Sequence, residues 1–224
     1  MNSRYFHSTA SKRKRQNMIG RLRNSSGQWC SNPAEVNSLI REYFSKLFHS
    51  EGSTSAYIIS CVATKITAAQ NQELLEPFTA IDVRDALFSM HPDKSPGLDG
   101  MNSAFFQKFW HILGGDVTIA CLSFIDKCEF PDELNATAIV LIPKKSQPEY
   151  LADLRPIALC NVLYKIVAKM LANRMKAVLS SIISENQSVF VPRRVITDNI
   201  LISAELMHYL KRSPRRTIGL NGAF

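Results

Sequence analysis

Apolar residues recur at intervals of three and four along most of the chain, and in strict alternation almost nowhere, which predicts a mainly helical protein. Val36, Leu39, Ile40, Tyr43, Phe44, Leu47 and Phe48 form one amphipathic stripe. Asn32 and Pro33 suit its N-cap and first turn, and Glu51-Gly52-Ser53 ends it. Residues 53–66 read as a loop. Thr67 and Thr79 read as N-caps of short helices over 68–76 and 80–90. Pro92, Pro96, Gly97 and Gly100 then enforce a loop. Two apolar helices are expected at 103–112 and 115–128, joined at Gly114-Gly115. The run Thr137–Ile142 is β-rich and bounded by Asn135 and Pro143, the best strand in the chain. A polar loop, 144–156, follows it. Asn161 is placed to cap the longest helix, 162–180. Leu163, Ile166, Val167, Met170, Leu171, Met175, Val178 and Leu179 lie on one side of that helix, and Lys165, Lys169, Arg174 and Lys176 on the other. An extended piece at 188–192 leads to a last helix, 197–212. Residues 1–30 have no sustained apolar period and read as a basic linker with local helix. No internal repeat is visible.

Composition changes this picture little. The 224 residues suffice for one or two domains, and 46% hydrophobic content fits a globular chain. No run approaches the length of a membrane span, and the N-terminus lacks the apolar core of a secretory signal. Five cysteines are scattered without a C-x-x-C pair, so reduced and mostly buried thiols in an intracellular protein, nuclear or cytoplasmic, are expected. Cys121 and Cys128 are two helical turns apart and suit core packing. Charge is more informative. The net charge is +8, yet residues 1–30 hold seven basic and no acidic residues, and 206–224 hold four and none. The body between them has 16 basic against 19 acidic residues. Basic ends favour polyanions through counterion release, although "SKRKR", with Lys12, Arg13, Lys14 and Arg15, also fits a solvated tail.

Phosphate-cradling, nucleophile-elbow and zinc-helix motifs are absent, and the five histidines (His7, His49, His91, His111, His208) show no metal-ligand spacing. Two polar stretches stand out. In "IPKKSQPEYLADLRPIAL", residues 142–159, a strand delivers Lys144 and Lys145, and a loop returns Arg155 beside Pro156. Lys and Arg presented together on a stiff hairpin can grip phosphates, the Arg in two places and the Lys as a point charge. The same spacing also fits an ordinary basic surface loop. In "ENQSVFVPRRVITDN", residues 185–199, Gln187 and Phe190 accompany Arg193 and Arg194. Basic residues beside an aromatic suit single-stranded nucleic acid, but a buried Phe beside a surface Arg pair fits equally well.

Four stretches together resemble one family. "HPDKSPGLDGMNSAFFQKFW", "LNATAIVLIPKK", "DLRPIALCNVLYKIVAKMLANRMK" and "ISENQSVFVPRRVITDNILI" occur in the order and spacing of the reverse transcriptase region of plant non-LTR (LINE-type) retrotransposons. The upstream "WCSNPAEVNSLIREYFSKLF" resembles the segment between the family's endonuclease and its polymerase. The resemblance covers roughly residues 1–212. It implies a basic linker at 1–31, a helical segment at 32–90, and a partial polymerase domain at 91–224. The implied fold is mainly α with a little β: the helical fingers side of a right-hand polymerase of α+β parentage, without the palm sheet.

The resemblance further implies that Lys144 and Arg155 face the phosphates of an incoming nucleotide, and that the stretch with Gln187, Phe190 and Arg194 lies near template. Arg193 stands where the family has glycine; a positive φ there would strain the turn. The implied partner is RNA or an RNA/DNA template-primer, with dNTP bound weakly if at all and no membrane involved. The intact family enzyme would use Mg²⁺ held by aspartates. This chain has no Asp or Glu after Glu205 and no Asp-Asp pair, so no cofactor is expected on it, and it reads as a truncated or degenerate copy, inactive alone. Two other readings stay open: a polymerase subunit completed by a partner chain, and a helical nucleic-acid-binding or protein-interaction module without catalysis.

Overall fold

The computed structural model describes residues 3–50, 52, 59–61, 63–184, 187, 188, 191 and 194–212. In order these form α1 (Ser3–Gln16), β1 (Leu22–Arg23), β2 (Trp29–Cys30), α2 (Pro33–Phe48), α3 (Ala68–Leu75), α4 (Ala80–Phe88), α5 (Ser103–Lys108), α6 (Trp110–Lys127), α7 (Asp132–Asn135), β3 (Ala138–Pro143), β4 (Leu154–Leu159), α8 (Val162–Ile182) and α9 (Ile196–Arg212). The fold is thus mainly α with a little β, as the periodicity predicts.

Side chains set several helix starts. Asn32 Oδ1 accepts from the Ala34 N–H at 3.0 Å, and Pro33 needs no partner in the first turn. Thr67 with Gln70, and Thr79 with Asp82, form reciprocal capping boxes. The two apolar helices meet at Phe109 instead of Gly114-Gly115, which lie inside α6. The reason is Trp110. Its indole lies over Gly114 one turn later, so closely that a Cβ there would sit 2.8 Å from the ring. The expected loop at 144–156 is shorter than it reads, because β4 begins at Leu154. Within the basic N-terminal stretch, a hairpin (β1–β2) forms that no periodicity announces. Asn24 shapes its turn by accepting from the Ser26 and Gln28 N–H groups, and Gly27 supplies a positive φ of 79°.

Two clusters of buried side chains organise the chain. In the first, Val83, Ala86 and Leu87 of α4 meet Phe106 of α5, Val117 and Cys121 of α6, and Val162, Ile166 and Met170 of α8. In the second, Leu22 of β1, Val36 of α2 and Leu154 of β4 pack together with Leu141 and Leu151 at its edge. The second cluster ties both hairpins to α2. The Arg23 N–H reinforces it by donating to the Glu149 carbonyl at 2.7 Å, and the Arg23 side chain pairs with the Glu149 carboxylate at 3.1 Å.

The Pro-Gly loop of residues 91–100 is docked, not merely connecting. Gly97 sits against Asn161 at the start of α8, where a Cβ would come within 2.0 Å of Asn161 Oδ1 and 2.6 Å of its backbone nitrogen. Lys165 of α8 donates to the Ser95 carbonyl at 2.7 Å. Asn161 occupies the N-cap position of α8 but does not cap it through its side chain. Its Nδ2 donates to the Leu134 carbonyl at 3.2 Å, while its buried Oδ1 has no hydrogen-bond partner among the described residues. The close approach of Gly97 has displaced the expected cap.

The thiols differ from expectation. All five are unpaired, but only Cys121 is fully buried; Cys61 and Cys128 are exposed. Cys128 ends α6 in a left-handed conformation with φ 52°, which turns it away from the core face that Cys121 shares. Burial pushes the Cys121 thiol up to about 12. Helix α9 has no buried residue. Its Ile200, Leu201, Ile202, Leu206, Met207 and Tyr209 are each 57–66% exposed. No helix among the described residues is long and apolar enough to cross a membrane.

Candidate nucleotide and nucleic-acid interface

Strands β3 and β4 pair antiparallel, with Ile142 opposite Arg155 and Pro143 opposite Leu154. The ladder continues one step further through the Lys144 N–H, which donates to the Asp153 carbonyl at 2.7 Å. Arg155 is directly across from Ile142 and shares its face, and Lys144 follows one residue past the end of β3. Register therefore brings Lys144 and Arg155 to the same end of the hairpin, though eleven positions separate them in sequence. Leu154 points the other way, into the second cluster, and anchors the strand. Arg155 is exposed.

The loop between the strands is ordered by one carboxylate. Asp153 accepts from the Tyr150 and Glu149 N–H groups, each at 3.0 Å, and from Lys145 at 2.9 Å. Those donors, the Tyr150 amide first, hold its carboxyl down at about 2. Lys144 Nζ donates to the Ala152 carbonyl at 2.6 Å. Both lysines are thereby held against the loop. Lys145 has its charge partnered, while Lys144 has met only a neutral carbonyl and keeps its charge uncompensated by that contact.

The second expected stretch is arranged differently. The Arg194 guanidinium donates to the carbonyls of Ser184, Gln187 (2.7 Å), Ile183 (3.4 Å) and Ser180 (3.5 Å). It closes the C-terminal end of α8, where unpaired carbonyls and the helix dipole both favour a cation. Its donors are thus committed to backbone, and Gln187 joins it through its main-chain oxygen. The Gln187 side chain is exposed. Phe190 and Arg193 lie outside the described residues. Arg174 is a similar brace that sequence reading placed only on a polar face. It donates to the carbonyls of Leu74 (3.2 Å), Glu76 and Pro77 (3.4 Å) and stacks on Phe78 at 3.3 Å.

Lys12, Arg13, Lys14 and Arg15 sit on α1, which buries nothing. Three of the four occupy its last turn, where they complement the helix dipole. Near them in sequence, the β1–β2 hairpin sets the guanidinium groups of Arg21 and Arg23 at 4.3 and 4.5 Å from the Trp29 ring. This stack was not legible in sequence, since it depends on the pairing of Arg23 with Trp29 across the hairpin. Among the described residues no three His, Cys, Asp or Glu side chains gather as a metal site.

No protein-family model matches the chain. It is 32% identical over 224 residues, 99% of its own length, to the transposon TX1 uncharacterized 149 kDa protein of Xenopus laevis, and it spans 17% of that protein's length. That similarity supports a LINE-type retrotransposon origin for the chain.

Proposed function

We propose that this chain is the fingers-side part of a LINE-type reverse transcriptase, an RNA-directed DNA polymerase, and that it handles template and incoming nucleotide without supplying the chemistry. The observation that supports the reading is the β3–β4 register, which sets Arg155 opposite Ile142, two residues before Lys144, at the loop end of the hairpin. Arg155 is exposed and, without a hydrogen-bond partner among the described residues, can clamp phosphate oxygens in two places, while Lys144 adds a point charge. The four motifs, in family order, support the same reading; its plant character rests on those motifs alone, since the relative above is from an amphibian. The partner is RNA or an RNA/DNA template-primer.

The residues present do not fit the family's Mg²⁺ site. The chain has no Asp-Asp pair and no carboxylate after Glu205, and the described residues gather no carboxylate cluster. No catalytic step is therefore assigned to this chain, and purified chain is expected to extend no primer with Mg²⁺ or Mn²⁺. The test is a chimera in which this chain replaces the matching segment of the Xenopus protein, assayed for primer extension on an RNA template beside its parent. An active chimera that loses at least about tenfold on Arg155→Ala is expected, the size of one lost charge-assisted contact. A dead chimera beside an active parent, or an Arg155→Ala chimera of undiminished activity, counts against the reading.

A further inference from the structure

The Pro-Gly loop, the β3–β4 hairpin and α8 meet at Asn161. This residue follows β4 by two positions and stands at the N-cap of α8, with the extended backbone (φ −62°, ψ 154°) of a capping residue. Its side chain is 3% exposed and has the chemistry to satisfy one of the first amides of the helix. It is engaged elsewhere. Nδ2 donates at 3.2 Å to the carbonyl of Leu134 in α7, the helix that leads into β3. Oδ1 faces Gly97 and accepts no hydrogen bond among the described residues. The side chain therefore ties the chain entering β3 to the chain leaving β4. It pins the hairpin at the end opposite Lys144 and Arg155.

This arrangement is held against a local preference. A buried oxygen without a donor and a helix start without a side-chain cap each weaken the fold. The docked loop keeps both in place, with Gly97 against the Asn161 side chain and backbone and Ser95 held by Lys165. The Lys165 contact is a single exposed hydrogen bond, and Leu98 and Asp99 of the loop are exposed.

We propose that Asn161 is a two-position latch between the Pro-Gly loop and the base of the hairpin. With the loop docked, its side chain holds Leu134 and the hairpin base is pinned. With the loop lifted, the side chain turns to α8, where Oδ1 accepts from the Leu163 or Tyr164 N–H, and the base is released. The oxygen and the helix amides then satisfy each other, which offsets part of what undocking loses. The loop's position thereby sets the freedom of the strands that carry Arg155 and lead to Lys144. The latch does not depend on what those two residues bind.

NMR of the isotopically labelled full chain tests it. Gly97→Ala displaces the loop through its clash with the Asn161 backbone. Lys165→Met loosens the loop without overpacking, and carries the test if the alanine prevents folding. Gly97→Ala combined with Asn161→Ala removes the latch itself. In Gly97→Ala the Asn161 Nδ2 hydrogens are expected to exchange at least about tenfold faster, having left Leu134, and the Ala138–Leu159 end of the hairpin at least about fivefold faster. The Leu163 or Tyr164 amide proton moves downfield on gaining an acceptor. Lys165→Met shows the same changes with smaller amplitude, and the double variant lacks the amide shift. Three results each overturn the latch: Nδ2 hydrogens that stay protected when the loop is displaced, an amide shift that is absent from the single variants or survives removal of the Asn161 side chain, and unchanged exchange at the hairpin base.

Discussion

Replacing Gly97 by alanine tests whether the Pro-Gly loop is docked on α8 as described. The new Cβ would lie 2.0 Å from Asn161 Oδ1, 2.6 Å from Asn161 N and 2.7 Å from its Cα. A rotated Asn161 side chain relieves only the first clash. The other two are with backbone at the first turn of α8, held by the Lys165 N–H on the Asn161 carbonyl at 3.2 Å. Overpacking of this kind costs about 1–3 kcal/mol, and loss of the Asn161–Leu134 hydrogen bond adds about 1 kcal/mol. A gain of about 0.4–1 kcal/mol opposes them, because alanine restricts the unfolded chain. The net expectation is destabilisation by about 1–3 kcal/mol. With an m-value near 2–3 kcal/mol/M, the urea midpoint falls by about 0.3–1.5 M. Gly115→Ala is the control. Nothing lies within 4 Å of a Cβ there and the residue is inside α6, so it should stabilise by up to about 1 kcal/mol. Urea titrations followed by circular dichroism at 222 nm, a helix signal, measure both. A Gly97→Ala midpoint at or above that of the unsubstituted chain would refute the docked loop.

Arg194→Ala should destabilise by about 1–2 kcal/mol, since it strips a charged donor from several carbonyls, and hydrogen exchange should quicken at the C-terminal end of α8. Exchange should also be faster throughout α9, which buries no residue, than in α4, where Val83, Ala86 and Leu87 are buried; equal protection would show that α9 has found cover. Replacing Lys12, Arg13, Lys14 and Arg15 by glutamine should flatten the salt slope for single strands by up to about 3, or 0.7 per phosphate released, and an unchanged slope would place the binding in the body. The Asp153 carboxyl titrates near 2 when folded, below its ordinary 3.8, so its contribution is full above about pH 4 and is lost as pH falls through about 2. The Tyr150 amide resonance should follow that titration with a midpoint near 2, and a midpoint near 4 would show that the carboxylate does not hold the loop.

Sequence by itself determined most of the helices and strand β3. Caps and apolar spacing are local, so Asn32-Pro33, Thr67 and Thr79 mark real helix starts without knowledge of what packs where. The run at 138–143 declared itself by β-branched content between two breakers. Tertiary structure decided where local signals compete with distant contacts. Asn161 looks like a cap but gives its side chain to Leu134, because Gly97 approaches from 64 positions away. Gly114-Gly115 looks like a break but continues α6, because Trp110 covers it. Arg194 looks like a nucleic-acid contact but closes α8. That Lys144 and Arg155 sit at one end of a hairpin was legible as a guess; the register, with Leu154 turned inward, needed the packed structure. Such a register is a property of several elements together, and periodicity reports on only one element at a time.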